Sequence, residues 1–305
     1  MRLFRTESLI CSLLVLGVVL LLSSGAQGED LTAAPFFKEY SKAVDAYNQG
    51  QLAKAESHLT ASLEDYPNDL LAWNLLAEVY QRTGKHQKAL EAYNQVERLY
   101  PGWPNTRRRM AYLYERTNDP QSARKIYLEL LGTEPNDAEL WQRLTDLLLR
   151  SNEENEAMHT LEKAVKTVQS KTLVRTLATL YFNRKEYEKA EPLFLDLART
   201  EPREAPDSYC LGVIAHGRGN QTDAINRFHE ALALRPDYFD ACYNLGVLLK
   251  QGKRYPEALT TFETCSKIEP KNKDVYRQLG QICEENIMDM EKANAYFEKA
   301  GGRTP

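Results

Sequence analysis

Residues 242–262 read CYNLGVLLKQGKRYPEALTTF, and residues 208–228 read SYCLGVIAHGRGNQTDAINRF. A Leu-Gly, a short break of glycine and charge, and an Ala-x-x-x-Phe return in the same order 34 residues apart. Followed outward, the alanine recurs at Ala55, Ala89, Ala123, Ala157, Ala190, Ala224, Ala258 and Ala293. Four residues after each stands Leu59, Tyr93, Tyr127, Leu161, Phe194, Phe228, Phe262 or Phe297. Twelve residues after most of them comes a proline, at 67, 101, 135, 202, 236 and 270. A self-similar period of this length marks a stack of supersecondary units.

Each period holds two amphipathic helices. In 239–272, Cys242, Leu245 and Leu249 share one face of a first helix, and Ala258, Phe262 and Cys265 share one face of a second. Gln251-Gly252-Lys253 breaks the chain between them, Pro256 stands in the first turn of the second helix, and Pro270 ends it. Gly246 and Ala258 let the antiparallel backbones approach, and Phe262 fills the remaining space.

This 34-residue helix–turn–helix resembles the tetratricopeptide repeat. In 70–103 the family's pattern is met by Trp73, Leu76-Ala77, Tyr80, Gly84, Ala89, Tyr93 and Pro101. The resemblance implies an all-α fold, a right-handed superhelical solenoid of stacked antiparallel helix pairs. Eight repeats are expected, at 36–69, 70–103, 104–137, 138–170, 171–204, 205–238, 239–272 and 273–305. The fourth is one residue short and has Val168 in place of the terminal proline, so a joint is expected near 165–171. Pro192 is expected to bend a second helix. The eighth repeat carries one extra residue near Asn286. Its outer face, Tyr296, Phe297 and Ala300, is expected either to be exposed and available for a homodimer or a partner, or to belong to a last helix polar enough to stand alone.

The first 28 residues stand apart. Arg2 and Arg5 precede an apolar run from Leu9 to Leu22 and then SSGAQG, the pattern of a secretory signal cut after Ala26 or Gly28. The alternative is an uncleaved membrane anchor. Residues 29–35 form a short leader. Removing two Arg and one Glu takes the net charge from −4 to −5, which speaks against nucleic acid as a partner. No integral membrane span is expected after cleavage. Export points to a periplasmic or secreted protein.

Cys210, Cys242, Cys265 and Cys283 remain after residue 28, none in a C-x-x-C pair, so no zinc or redox motif is expected. Cys242 and Cys265 face one another across a helix pair. They read as two buried free thiols, with a disulfide as the alternative. The five histidines lack metal-ligand spacing, and no Ser or Cys sits in a nucleophile elbow. Neither catalysis nor a cofactor is expected. Asn220-Gln221-Thr222 is a glycosylation sequon on an inter-helix loop.

In the tetratricopeptide repeat family the first helices line a concave groove. The second, fifth, ninth and twelfth positions of each repeat form the exposed stripe. It carries Tyr40 and Tyr47, then Arg108 and Tyr112, Gln142 with the neighbouring Arg143, Arg175 and Phe182, Tyr209, and Tyr243, Val247 and Lys250. The eighth repeat adds Asp274, Arg277, Gln281 and Glu284. Aromatic and arginine side chains are the usual anchors of protein interfaces. A peptide or protein segment, acidic near repeats three to five, is therefore the expected partner, unless the arginines pair with Glu115, Glu139 and Asp146. No repeat combines a Lys at its fifth position with an Asn at its ninth, so the clamp by which some family members hold chaperone tails is not expected. The favoured function is a non-catalytic scaffold or adaptor, by family analogy in envelope or secretion assembly. Self-association through the C-terminal repeat and recognition of carbohydrate or peptidoglycan are the alternatives.

Overall fold

The computed structural model describes residues 35–103, 105–200 and 203–303. The expected signal segment 1–28, residues 29–34 of the expected leader 29–35, and Pro202 lie outside the described residues. Contacts divide the protein into two units, residues 1–126 and 127–305. The expected joint near 165–171 falls inside the second unit. There the core runs on without a break, from Met158, Leu161 and Ala164 to Leu173, Leu177 and Ala178.

The first unit contains α1 (Pro35–Asn48), α2 (Leu52–Asp65), α3 (Leu70–Arg82), α4 (His86–Leu99) and α5 (Thr106–Arg116). The boundary between the units falls within α6 (Pro120–Thr133). The second continues with α7 (Ala138–Arg150), α8 (Glu154–Thr167), α9 (Lys171–Asn183), α10 (Tyr187–Ala198), α11 (Ala205–Gly217) and α12 (Gln221–Leu234). It ends with α13 (Phe239–Gln251), α14 (Tyr255–Ile268), α15 (Lys273–Gln281) and α16 (Met290–Ala300). Among the described residues no strand forms. Each 34-residue period holds one helix pair, and within a unit each pair packs on the next.

The ladder read from the sequence is the core. All eight alanines from Ala55 to Ala293 are fully buried, and Leu59, Tyr93, Tyr127, Leu161, Phe194, Phe228 and Phe262 are at most 1% exposed. In the last three repeats a glycine faces the aromatic. A Cβ built on Gly212, Gly246 or Gly280 would stand 2.7, 2.8 or 2.6 Å from the ring of Phe228, Phe262 or Phe297. The close helix approach expected at Gly246 is present in all three.

Helix ends are set by short-range chemistry. Asp69 and Asp137 each accept two backbone N–H bonds, at 2.9 and 3.1 Å, from the first turn of the following helix. The indole N–H of Trp73 donates to the Pro67 carbonyl at 2.8 Å, and that of Trp141 to the Pro135 carbonyl at 2.7 Å. One sequence rule, Pro-Asn-Asp-x-x-x-Trp, therefore turns the backbone, caps the next helix and ties it back. Asn220, in the sequon, caps α12 by accepting from the Asp223 amide at 3.2 Å. Pro192 lies inside α10, which runs through it to Ala198.

Within each pair the turn places one residue in the left-handed region: Gly50, Gly84, Asn118, Asn152, Lys185, Gly219, Lys253 and Met288, at φ from 57° to 78°. The extra residue of the eighth repeat is absorbed as a π-helical turn, Ile282–Ile287, before Met288.

Candidate functional site

Groove positions in the first unit are partly spent on the protein itself. Tyr47 on α1 donates its hydroxyl to Glu78 at 3.0 Å, and the Arg82 guanidinium covers its ring at 4.8 Å. Burial, and then the Glu78 charge, push the Tyr47 phenol above its usual range. Glu78 also holds Arg109 at 2.9 Å, which donates to the Tyr93 hydroxyl at 3.0 Å. Tyr40 and Tyr47 pack at the edge of the first core cluster and Tyr112 at the edge of the second. Arg108 is half-buried on α5.

The second unit satisfies most of its groove arginines internally. Arg143 donates to Glu139, one turn back on α7, at 3.0 Å. Gln142 donates to Asp146 at 2.8 Å, while its carbonyl oxygen is buried without a hydrogen-bond partner. Arg175 on α9 reaches Asp207 on α11, a carboxylate whose side chain is 1% exposed, and Glu204 beside it, each at 2.8 Å. The hydrogen bonds to Asp207 hold the Arg175 guanidinium above its usual range.

Phe182 packs edge-on against Phe194 at 6.3 Å. Tyr209 packs on Tyr238 at 5.2 Å and accepts from the Asn244 side-chain amide at 3.3 Å. Tyr243 stacks with Phe239 at 5.9 Å and meets Phe262 edge-on at 5.6 Å. The stripe aromatics thus rest one face on their own repeat and stay half-buried. Tyr209 with Val213, and Tyr243 with Val247, occupy equivalent fifth and ninth positions on the neighbouring helices α11 and α13.

Lys250, at the twelfth position on α13, donates to the side-chain carbonyls of Gln278 at 2.9 Å and Gln281 at 2.8 Å. Those glutamines lie on α15. Burial pushes the Lys250 ammonium below its usual range. The sequence places Lys250 on the stripe and assigns it no role. Its signal is a lysine at a groove position whose neighbours on the next repeat are amides.

Two expectations are corrected. Cys242 and Cys265 are joined as a disulfide across α13 and α14, their Cα atoms 5.8 Å apart, instead of standing as two free thiols. The antiparallel crossing that brings Gly246 onto Phe262 also brings these residues within bridging range. Cys210 and Cys283 are free and buried. Burial, with the Asp207 charge, pushes the Cys210 thiol up to about 12.

The face of α16 is also packed, not exposed. Phe297 is 7% and Ala300 1% exposed, and Tyr296 stacks on Tyr276 while donating to Glu263 at 3.0 Å. Gly280 opens the space that Phe297 fills. Exposed apolar side chains of this repeat are instead Ile287 and Met288 in the turn and Met290 at the start of α16.

A further cavity of about 540 Å³ lies between α2, α3 and α4, with Leu63, Trp73, Leu76 and Tyr80 beside Glu64 and Glu91. No helix among the described residues is long and apolar enough to cross a membrane.

Comparison with known proteins places these helix pairs. The BBSome complex member BBS4 homolog of Drosophila melanogaster is 25% identical over 195 residues, 63% of this chain and 40% of that protein. The DnaJ homolog subfamily C member 7 homolog of Schizosaccharomyces pombe is 22% identical over 267 residues, 80% of this chain and 48% of that one. The chain thus spans less than half the length of either relative. The crystal structure of the C-terminal part of a TPR repeat-containing protein from Cytophaga hutchinsonii superposes with a TM-score of 0.56 at 15% identity, covering 73% of this chain and 92% of that one. Tetratricopeptide repeat models match residues 40–104, 80–148 and 215–283, together more than half of the sequence. The chain belongs to the tetratricopeptide repeat family.

Proposed function

We propose that this protein is a non-catalytic protein-interaction scaffold that holds a peptide or protein segment against the stripe of its first helices. One observation carries the reading. Tyr209, Val213, Tyr243 and Val247 stand in register on α11 and α13, half-buried, where a solvated helix face would carry charge. A photo-crosslinking residue at Val247 should label a partner in the native cell fraction, and one at the exposed Thr260 on α14 should not. Labelling from Thr260 alone would move the interface to the second helices.

The same reading takes residues 1–28 as a secretory signal and places the working protein in the envelope or outside the cell, with a part in envelope or secretion assembly suggested by family analogy. The Cys242–Cys265 disulfide supports an oxidising compartment. The native protein should begin after Ala26 or Gly28 by N-terminal sequencing. An intact Met1 would favour the membrane-anchored alternative.

Sugar recognition is a second reading, favoured by the cavity where Trp73 and Tyr80 stand beside Glu64 and Glu91. Saturable quenching of tryptophan fluorescence by muropeptides, lost in Trp73→Phe, is its expected sign. A flat titration removes it.

A further inference from the structure

We propose that Lys250 is the anchor for a carboxylate of the bound segment, so that the groove selects an acidic ligand at repeats seven and eight; this rests on the groove reading above. The surroundings of the ammonium set it apart. Two of its three N–H bonds are taken by the Gln278 and Gln281 carbonyls, at 2.9 and 2.8 Å, and both partners are neutral amides. A half-buried charge ordinarily stands against an opposite one, because lost hydration has to be replaced. Four arginines on the first helices follow that rule. Arg109 faces Glu78, Arg143 faces Glu139, Arg175 faces Asp207 and Arg277 faces Asp274. Lys250 is instead oriented by the dipoles of two amides, with the Glu285 charge reaching it through its field.

A second observation lies on the same helix as the two glutamines. The Arg277 Nε is buried and has no hydrogen-bond partner. The same guanidinium pairs through Nη1 with Asp274 and stands on α15 beside the two glutamines. The ligand's charge is also bounded. The field of Glu285 already reaches Lys250, and the stripe itself carries Asp274, paired with Arg277, and Glu284, paired with Arg303, so a single negative charge is accommodated better than a dianion. A carboxylate fits. Tyr243 and Val247, two turns and one turn before Lys250 on α13, offer apolar contact to the residues beside it. Lys250 stands at the twelfth position of its repeat, so this anchor is distinct from a clamp built on fifth and ninth positions.

An acidic side chain or a free peptide terminus can supply the carboxylate, and three fluorescent peptides on one apolar frame separate the sources. One carries internal Glu and an amidated end. The second carries Gln in their place and a free C-terminal carboxylate. The third carries Gln and an amidated end. Fluorescence anisotropy with the full-length protein should show one carboxylate probe binding about tenfold more tightly than the neutral one, the gain of one charge-assisted hydrogen bond. The preferred probe names the source. Lys250→Gln should erase the preference while leaving the circular dichroism spectrum unchanged. Gln281→Glu, which supplies the counter-charge from within, should erase it with the lysine still in place. Equal binding of all three probes by the unaltered protein, or a preference that survives Lys250→Gln, would overturn the Lys250 anchor and leave the groove reading standing. Failure of all three to bind would count against the groove itself and the anchor with it.

Discussion

The Arg175 guanidinium grips the Asp207 carboxylate through three hydrogen bonds, Nε to Oδ1 at 2.9 Å, Nε to Oδ2 at 3.2 Å and Nη2 to Oδ2 at 2.8 Å. The pair spans the step from repeat five to repeat six, and its acid is buried. Removing one partner of such a pair strands the other, at a cost of about 3–5 kcal/mol. Arg175→Met should therefore lower stability by about 3 kcal/mol or more in urea unfolding. The double variant Arg175→Met, Asp207→Leu should recover most of the loss. A single-variant loss below about 1 kcal/mol would show the pair to be ornamental. Charge reversal at Arg175 accordingly reports on folding before it reports on any ligand.

Gly246→Ala should destabilise by about 1–3 kcal/mol, the usual range for forcing a methyl into a filled core. Shortening the opposing ring should relieve it. In a double-mutant cycle with Phe262→Leu, the alanine should cost less than it does alone. Equal cost in both backgrounds would mean that the ring already yields.

Lys253 holds the left-handed turn position of repeat seven at φ 57°, where repeats one, two and six use glycine. An L side chain there costs roughly 1–2 kcal/mol, partly offset by the entropy glycine loses on folding. Lys253→Gly is expected to raise the unfolding midpoint by the equivalent of about 0.5–1 kcal/mol. A lowered midpoint would show that the lysine side chain contributes more than its backbone costs.

Thiol counting checks the cysteines. Cys210 is buried with its thiol pushed up to about 12, and Cys283 is buried with its thiol also raised. Neither should react with iodoacetamide at neutral pH in the native state, because the thiolate is the nucleophile. Setting Cys11 aside, denaturation alone should release two reactive thiols and denaturation with reductant four. Four without reductant would disprove the disulfide.

Alkaline pH should weaken the fold in a defined window. Burial comes first in pushing the phenols of Tyr181, Tyr238 and Tyr296 up to about 12, helped at Tyr181 and Tyr296 by hydroxyls that donate to Glu162 and Glu263. Well below pH 10 these phenols are neutral in both states and stability is unaffected by them. Between about 10 and 12 they ionise first in the unfolded state, so stability falls as pH rises. The unfolding midpoint should drop through that window, with 295 nm absorbance in the native state lagging behind that of the denatured protein. A midpoint flat from pH 10 to 12 would contradict the burial.

Much of this architecture was written at single positions. The alanine at each second helix and the bulky residue four later meet one steric demand, repeated at every crossing, so composition at those positions sufficed to find the core. Turn and cap chemistry was equally local, as Pro67, Asp69 and Trp73 illustrate. The groove was legible as a stripe but not as a charge map. Arg175 read as an available cation because its partner lies 32 residues on, at a position of repeat six that spacing alone does not mark as buried. Lys250 showed the converse. Its hydrogen-bond partners are the amides of Gln278 and Gln281, and no periodicity announces an amide where an acid could have stood. The disulfide lay between these cases, since helix pairing put Cys242 near Cys265 without stating that they bond.

That bridge also bears on how the molecule responds to tension. A stack of helix hairpins pulled from its ends peels repeat by repeat, each one lengthening as its helices part. In repeat seven the 23 residues from Cys242 to Cys265 cannot join the extended contour, a loss of about 80 Å at 3.3–3.6 Å per residue. Repeat seven would therefore be the hairpin that yields least under load, and it is the one that carries Lys250.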